Sequence, residues 1–212
     1  MTTLPPDVEL VEALRRGDAG VFAAVLDAWS SSMIRLARSF TTDHASAEDV
    51  VQETWLAVLN GVHGFEGRSS LRTWVYRILV NTARRQAARA SRTVPWTSLL
   101  PEDHGPTVDP SCFQDSDGGY PGHWRELPPA WVSPESSALS AEVHALLARA
   151  LDGLPPRQRV VISLRDVDGH TADEVCAILR ISAANQRVLL HRARAAVRQQ
   201  LAGYLAGSED GA

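Results

Sequence analysis

Eight prolines between residues 93 and 134 constrain the fold more than any other feature of the sequence. Proline has no amide hydrogen and a fixed φ, so neither a helix nor a central strand continues through such a stretch. The chain is therefore predicted to fold as two parts, residues 1–92 and 134–206, joined by an irregular linker over residues 93–133. Residues 207–212 are expected to form a disordered tail.

The N-terminal part has apolar residues at helical spacing and is predicted to form four helices. Ser46 is the predicted cap of the third helix, with Asp49 as the acidic residue three positions later. The fourth helix is expected over residues 71–90, capped by Ser69 or Ser70.

The C-terminal part is also predicted to be helical, and its end has the pattern of a helix-turn-helix. Thr171 and Glu174 have the spacing of a capping box at the start of a short helix. Arg180 and Ile181 then turn the chain, and Ser182 caps a long basic helix. The expected fold class is all-α, with two small helical domains and a long irregular linker.

The charge of the chain is segregated although the net charge is only −4. All 21 basic residues are arginine, and residues 67–101 and 175–208 contain no acidic residue. Two separate basic helical stretches are typical of a protein with two nucleic-acid contacts. On the fourth helix, the side opposite the apolar residues carries a stripe of Arg77, Asn81, Arg84 or Arg85, and Arg92.

The linker has the opposite charge, with six acidic residues and one arginine between residues 93 and 133. It also contains five aromatic residues, more than a passive spacer needs, so part of it is expected to dock on another surface.

Several classes of protein are not supported by the sequence. Cys112 and Cys176 have no zinc or disulfide spacing, and neither a metal nor a cofactor is expected. There is no signal-peptide layout and no apolar run of membrane-spanning length, so a cytoplasmic protein without direct membrane insertion is expected. No catalytic motif is present, and an enzyme is not expected.

Two groups of motifs resemble the extracytoplasmic-function (ECF) sigma factors of the sigma-70 family. The first group is DVVQETW at residues 49–55 and SLRTWVYRILVN at 70–81. The second is LPPRQR at 154–159, LRDVDG at 164–169 and HRAR at 191–194. The resemblance implies that residues 1–92 are sigma region 2, which binds core polymerase and melts the −10 element. It implies that residues 134–206 are sigma region 4, which binds the −35 element.

The resemblance also implies partners and site residues. Core RNA polymerase would be bound through its beta-prime clamp and beta flap, and promoter DNA and an anti-sigma factor are further expected partners. The clamp-binding residues would be Asp49, Gln52, Glu53 and Leu56, although Asp49 can instead be only a capping residue.

A base flipped from the −10 element would be held by the loop before the fourth helix and by that helix. The implied contacts are His63, Phe65, Arg72, Arg77, Asn81, Arg84 and Arg85. Phe65 can equally be part of the core, and Trp74 is expected to pack inside because it lies on the apolar side.

The −35 element would be read by the last helix, through Asn185, Arg187, His191, Arg192, Arg194 and Arg198. Arg187 is the candidate for a bidentate contact to guanine. Gln186 and Leu189 depart from the family pattern, so the DNA sequence that is read does not follow from other members. The alternative function is a stand-alone helix-turn-helix regulator, whose N-terminal helices would not need the stripe that begins at Arg77.

Overall fold

The computed structural model describes residues 4–90 and 137–209, which are helical and contain no β-strand. The helices of the N-terminal half are α1 Asp7–Arg15, α2 Ala19–Ala37, α3 His44–Gly61 and α4 Leu71–Ala90, with a 3₁₀ turn at Val62–Gly64. Those of the C-terminal half are α5 Ser137–Asp152, α6 Pro156–Ile162, α7 Ala172–Leu179 and α8 Ala183–Glu209, and a π-helical segment, Ser163–Val167, follows α6. The all-α prediction is confirmed.

Helices α1 to α4 enclose an apolar core centred on aromatic side chains. Trp55 of α3 stacks on Trp29 of α2 at a centroid distance of 6.4 Å and meets the edge of Phe22 at 5.8 Å. Such ring pairs contribute about 1 kcal/mol beyond their buried area. Leu36 of α2 and Leu79 of α4 are fully buried in the same core.

Helices α2 and α3 begin at carboxylate caps, whereas α1 has no side-chain cap. Helix α4 is capped by the Ser70 hydroxyl, one of the two predicted residues, which accepts from the Thr73 amide at 3.1 Å. Asp18 accepts hydrogen bonds from the amides of Gly20 and Val21 and so caps α2 directly after Gly17, whose φ of 73° separates α1 from α2. At α3 the cap is Asp43, which accepts from the amide of Ser46 at 2.8 Å. The prediction of Ser46 as the cap is therefore wrong. Aspartate and serine cap about equally well, and here the helix begins three residues earlier, at His44.

Two compact units are present, and their limits differ from the domains predicted along the sequence. Residues 163–186 belong with the N-terminal helices, where α7 packs against α4. The other unit includes α5, α6 and α8 from Arg187 onwards. Residues 163–186 group with the N-terminal helices because the π-helical segment and α7 bury apolar side chains in that unit, at Leu164, Val175 and Ile178.

The unit containing α5 and α6 is held together by small and branched apolar residues and by arginine contacts to backbone. Arg159 donates to the carbonyls of Asp152 and Leu154, which closes the turn between α5 and α6. Gly153 lies in this turn beside Gln200 of α8. The buried side chains of the unit include Ala150, Leu154, Val160, Val161, Leu190, Ala193, Val197 and Leu201.

The end of the last helix also differs from the predicted end of the C-terminal domain. Helix α8 continues to Glu209, three residues into the predicted tail, while residues 210–212 and the predicted linker lie outside the described residues.

Of the two cysteines, Cys176 is half-buried in α7 and Cys112 falls in the linker. Over residues 4–90 and 137–209, no helix combines the length and the apolarity that a membrane span needs.

Candidate nucleic-acid and polymerase interfaces

The outer face of α3 presents polar groups around an exposed leucine. Asp49, Gln52 and Leu56 recur at steps of three and four residues, which places them on one side of the helix, and all three are exposed. Leu56 has 62% of its surface exposed, and Leu59, three residues on, has 39%. Leu59 was missed in the sequence because it fits the apolar period of the core side equally well. We call Asp49, Gln52, Leu56 and Leu59 the α3 outer face.

Glu53, predicted with this face, lies at its border and is bound to α4. Its carboxylate pairs with Arg85 and accepts a hydrogen bond from Gln86 at 3.1 Å. The two side chains were predicted for different ligands, Glu53 for polymerase and Arg85 for DNA. Each now satisfies the other, so either ligand would have to compete with this ion pair.

The loop over residues 62–70 links α3 to α4 and has a buried and an exposed side. Val62 and Phe65 are buried, and the Phe65 ring packs on Trp74 at 5.1 Å. His63 and Arg68 are exposed. The structure thus places the Phe65 ring in the core, the second of its two predicted roles, and leaves His63 at the surface.

Helix α1 holds this loop at both ends. The Arg15 guanidinium donates to the carbonyls of Val62 at 3.2 Å, His63 at 3.5 Å and Phe65 at 2.7 Å. At the other end, the Asp7 carboxylate accepts a hydrogen bond from the Leu71 amide at 2.7 Å. A cleft of about 630 Å³ separates α1 from residues 65–70. Neither Asp7 nor Arg15 was predicted, because no local pattern relates them to residues more than 45 positions away.

The predicted DNA-binding residues of α4 fall into two groups. Arg77 is half-buried and Asn81 is exposed, one helical turn apart on the surface. Arg72 lies roughly 140° around the helix from Arg77, with its guanidinium 5.4 Å above the Tyr76 ring. Arg84 donates to the carbonyl of Leu179 in α7 at 3.3 Å. Arg72 and Arg84 are therefore engaged within the protein, while Arg77 and Asn81 face solvent.

The helix-turn-helix is formed as predicted from its caps. The Thr171 hydroxyl accepts from the Glu174 amide at 3.2 Å, and the Glu174 carboxylate accepts from the Thr171 amide at 2.9 Å. Arg180 adopts the left-handed conformation, with φ of 57°, and ends α7. The Ser182 hydroxyl then accepts from the Asn185 amide at 3.2 Å, which caps α8.

One side of α8 is an arginine and histidine surface. Arg187, His191, Arg194 and Arg198 lie within about 60° of one another around the helix; the first three are exposed and Arg198 is half-buried. Burial and the neighbouring Arg194 lower the pKa of Arg198, which nevertheless stays charged at neutral pH. We call these four residues the α8 basic face.

The other residues predicted on this helix are less accessible. Arg192 and Asn185 are half-buried. Gln186 has 2% of its surface exposed and Leu189 has 6%. The two departures from the family pattern, Gln186 and Leu189, are thus core residues of this chain.

Residues 163–186 contact the start of α4 through a polar cluster that the sequence did not predict. The second oxygen of Glu174 accepts hydrogen bonds from the hydroxyls of Ser70 at 3.1 Å and Thr73 at 2.8 Å. Partial burial would raise the pKa of Glu174, but hydrogen bonds from the Thr171 amide and from these hydroxyls outweigh it and lower the pKa to about 2.

Two further groups of this segment are buried beside it. His170 meets the Tyr76 ring at 4.7 Å, and burial, reinforced by the charge of Arg72, lowers its pKa to about 4. Asp168 lies 3.3 Å from Arg35, yet burial keeps the pKa of its carboxyl raised. No local sequence pattern indicates these contacts, because His170 and Tyr76 are 94 positions apart and Asp168 and Arg35 are 133 positions apart. Within the described ranges, His, Cys, Asp and Glu side chains do not form a group of three that could hold a metal ion.

Comparison with protein families gives one match in each half of the chain. A family model described as sigma-70 region 2 matches residues 26–93, and one described as sigma-70, region 4 matches residues 144–197. The first match includes α3, the loop and α4, and the second includes the helix-turn-helix.

Curated proteins similar over nearly the whole chain include two sigma factors. The RNA polymerase sigma-H factor of Pseudomonas aeruginosa is 26% identical over 201 residues, which are 95% of this chain and 96% of that protein. The ECF RNA polymerase sigma-E factor of Escherichia coli K12 is 28% identical over 191 residues, or 90% and 92% of the two chains.

Solved structures support the same fold. CnrH, solved in complex with the cytosolic domain of CnrY, aligns with a TM-score of 0.56 at 22% identity and covers 92% of this chain and 96% of its own. The sigma factor RpoE from Bartonella quintana, solved with the anti-sigma factor NepR, gives 0.54 at 23% identity and covers 85% and 96%.

Proposed function

Since this chain is an RNA polymerase sigma factor of the ECF type, in the sigma-70 family, we propose a division of its initiation activity among three surfaces. The α3 outer face binds the beta-prime clamp of core polymerase. The loop over residues 62–70, with Arg77 and Asn81 of α4, captures and opens the −10 element. The α8 basic face reads the −35 element.

The observation that carries the proposal is that each surface exposes a different type of side chain. The α3 outer face combines a carboxylate, an amide and two leucines, which suits a protein partner with basic groups around an apolar centre. The surfaces of α4 and α8 have arginine without nearby acidic residues in sequence, which suits phosphates and base edges.

The −10 contacts are divided between accessible and engaged residues. His63, Arg77 and Asn81 reach solvent and would meet the displaced strand directly. Phe65 contributes by packing the loop on Trp74. Arg72, Arg84 and Arg85 would contact DNA only after release from Tyr76, Leu179 and Glu53, respectively.

At the −35 element, Arg187 and His191 of the α8 basic face would contact bases. Arg194 and Arg198 lie one and two turns further along and would meet phosphates. Asn185 and Arg192, which are half-buried, lie at least about 100° around the helix from all four residues and would make a separate set of contacts.

The remaining roles follow from the family. We propose that the protein is not an enzyme and acts in the cytoplasm, where polymerase and DNA are found. An anti-sigma factor is its proposed regulator, and the beta flap is the proposed polymerase site for the C-terminal unit. A stand-alone regulator is not favoured, because the region 2 match accounts for helices that such a protein would not need.

The test is a pull-down of core RNA polymerase with the purified full-length chain, followed by run-off transcription on genomic fragments. We expect stable binding and promoter-specific transcripts. Leu56→Ala should weaken polymerase binding roughly tenfold, as expected for a central apolar contact. Val8→Ala is the matched control, because Val8 is also an exposed apolar residue, at 71%, but lies on α1. Equal affinity of both variants and wild type would remove the α3 outer face from the proposal, and no binding by wild type would overturn the sigma function itself.

A further inference from the structure

The loop over residues 62–70 has few contacts of its own that could hold it in one conformation. Gly67 has a positive φ of 71° and Gly64 has nothing within 4 Å of the position a side chain would take. Among the residues that the structure describes, Glu66 and Arg68 pair with each other, and both side chains are more than half exposed. Val62 and Phe65 are buried, and at the end of the loop the Ser70 hydroxyl binds Thr73 of α4 and Glu174 of α7; the other fixed points of the loop come from elsewhere.

Those fixed points come from the two ends of α1. Arg15 is the last residue of this nine-residue helix and Asp7 is the first. At about 1.5 Å per residue, the helix separates them by roughly 12 Å. Arg15 binds three carbonyls at the start of the loop, and Asp7 binds the amide of Leu71 at its end. The helix therefore lies along the loop as a rigid spacer.

The chemistry of both contacts fits the backbone groups that they reach. The three carbonyls lie in the 3₁₀ turn after α3 and at Phe65, outside a continuous helix. The Leu71 amide is one of the first amides of α4, which have no partner inside their own helix. A guanidinium has five donors in a planar fork and can satisfy several carbonyls at once, whereas the ammonium of lysine is a single point of charge. A carboxylate near a helix N-terminus is also favoured by the helix dipole.

We propose that Arg15 and Asp7 are positioning residues for the base-reading loop, so that α1 determines how selectively the protein reads the −10 element. The inference rests on the proposed function of that loop. Neither side chain needs to touch DNA. They act by holding the backbone of residues 62–71 in the conformation that accepts a flipped base. Without them the loop would sample many conformations, and ordering it for each binding event would have an entropic cost.

The variants are chosen to separate positioning from folding. Arg15→Gln removes the charge and the fork, and Arg15→Lys keeps the charge without the fork. Asp7→Ala removes the acceptor, while Asp7→Asn retains an oxygen that can accept from the Leu71 amide. Arg16→Gln is the matched control, because Arg16 is the next residue and, within residues 4–90 and 137–209, its side chain makes an exposed ion pair with Glu12, at 4.0 Å. Each variant is assayed as holoenzyme with core polymerase.

The readout is the relative transcription from promoters that differ at single −10 positions, with permanganate reactivity as a measure of strand opening. We expect Arg15→Gln and Asp7→Ala to reduce opening roughly tenfold and to bring the preferred base within about twofold of the others. Arg15→Lys should behave nearly as Arg15→Gln, and Asp7→Asn should be close to wild type. Polymerase affinity and melting temperature should stay within the range of Arg16→Gln.

Hydrogen exchange of the free protein tests the contacts independently of transcription. We expect faster exchange at the Leu71 amide in Asp7→Ala and at the Phe65 amide in Arg15→Gln. Unchanged base preference together with unchanged exchange would overturn the proposal, as would a loss of preference that only tracks a loss of melting temperature. If wild type itself showed no −10 preference, the proposed function of the loop would fail, while the exchange data would still decide whether α1 orders it.

Discussion

His170 links the stability of the N-terminal unit to pH. Its side chain is 1% exposed, and its neighbours Tyr76, Arg72 and Glu174 surround it from α4 and α7. Burial and the charge of Arg72 hold its pKa at about 4, below the ordinary value of 6.5. The unfolded chain therefore takes up a proton between pH 6.5 and 4 that the folded unit does not, so stability falls as the pH drops through this window.

Replacing His170 by phenylalanine should remove most of this pH dependence. The ring contact with Tyr76 would be kept, and a buried nitrogen without a hydrogen-bond partner would be removed. Wild type should lose on the order of 3 kcal/mol of unfolding free energy between pH 7 and pH 4 through this group, and the variant should not. Urea denaturation across the pH range measures the difference. The pKa of Asp168 is raised, so its contribution to the unfolding free energy increases as the pH falls, opposite to that of His170. Because Asp168 is present in both proteins, this contribution cancels from the comparison.

Arg187 should contribute to promoter choice without contributing to folding. It is exposed on the α8 basic face, so Arg187→Ala should change the unfolding free energy by less than about 0.5 kcal/mol. Discrimination at one −35 position should fall by about 1–3 kcal/mol if the guanidinium binds a guanine edge.

The comparison variant for Arg187→Ala is Arg194→Ala, on the same helix face. Loss of a phosphate contact should weaken binding to all −35 sequences alike and reduce the salt dependence. Holoenzyme affinity for a set of −35 variants at two salt concentrations separates the two patterns. A uniform effect of Arg187→Ala would place Arg187 among the phosphate contacts.

Helix α7 depends on one carboxylate that serves two purposes. One oxygen of Glu174 completes the capping box with Thr171, and the other binds Ser70 and Thr73 of the α4 start. Thr171→Ala should therefore cost about 1 kcal/mol, the usual value for a lost cap. Glu174→Ala should cost more, because it also leaves the two hydroxyls without their acceptor.

A double-mutant cycle assigns the energy of the contact between α7 and α4. Thr73→Val removes the hydroxyl at nearly constant volume, and its coupling to Glu174→Ala should be about 0.5–1.5 kcal/mol. The cycle between Asp43→Ala and Thr73→Val is the control, since Asp43 caps α3 and shares no hydrogen-bond partner with Thr73, and should be additive within about 0.5 kcal/mol. Additivity in both cycles would show that the packing of α7 on α4 does not depend on Glu174.

The elements that could be predicted from sequence are those specified by neighbouring residues. The bounds of α4 and the capping box of α7 were predicted correctly because apolar spacing and caps act within one or two turns. The start of α3 was not, because Asp43 and Ser46 both satisfy the local rule. The contacts of Glu53 with Arg85, Arg15 with the loop, and Glu174 with α4 join distant residues, and no local pattern encodes them.

On the scale of the whole molecule, the two proposed DNA-binding surfaces should serve different steps of initiation. Asn81 belongs to one compact unit and Arg187 to the other. Asn81→Ala should leave closed-complex binding largely intact and impair strand opening, whereas Arg187→Ala should alter the selection of the −35 sequence. Gel-shift titration and permanganate footprinting of the two holoenzymes measure these steps separately. Equal loss of both activities in both variants would indicate that the substitutions disturb folding.

Helix α3 leads from its outer face directly into the loop that Arg15 holds, without a break between Asp49 and Val62 other than a change of helix type. If polymerase binds one end and a flipped base the other, the two ligands are thermodynamically linked through a single helix. Linkage is reciprocal, so a −10 strand that binds more tightly to holoenzyme than to free protein must raise the affinity for polymerase by the same factor. We therefore expect a short single-stranded −10 oligonucleotide to raise the equilibrium affinity of this protein for polymerase, and a scrambled oligonucleotide to leave it unchanged.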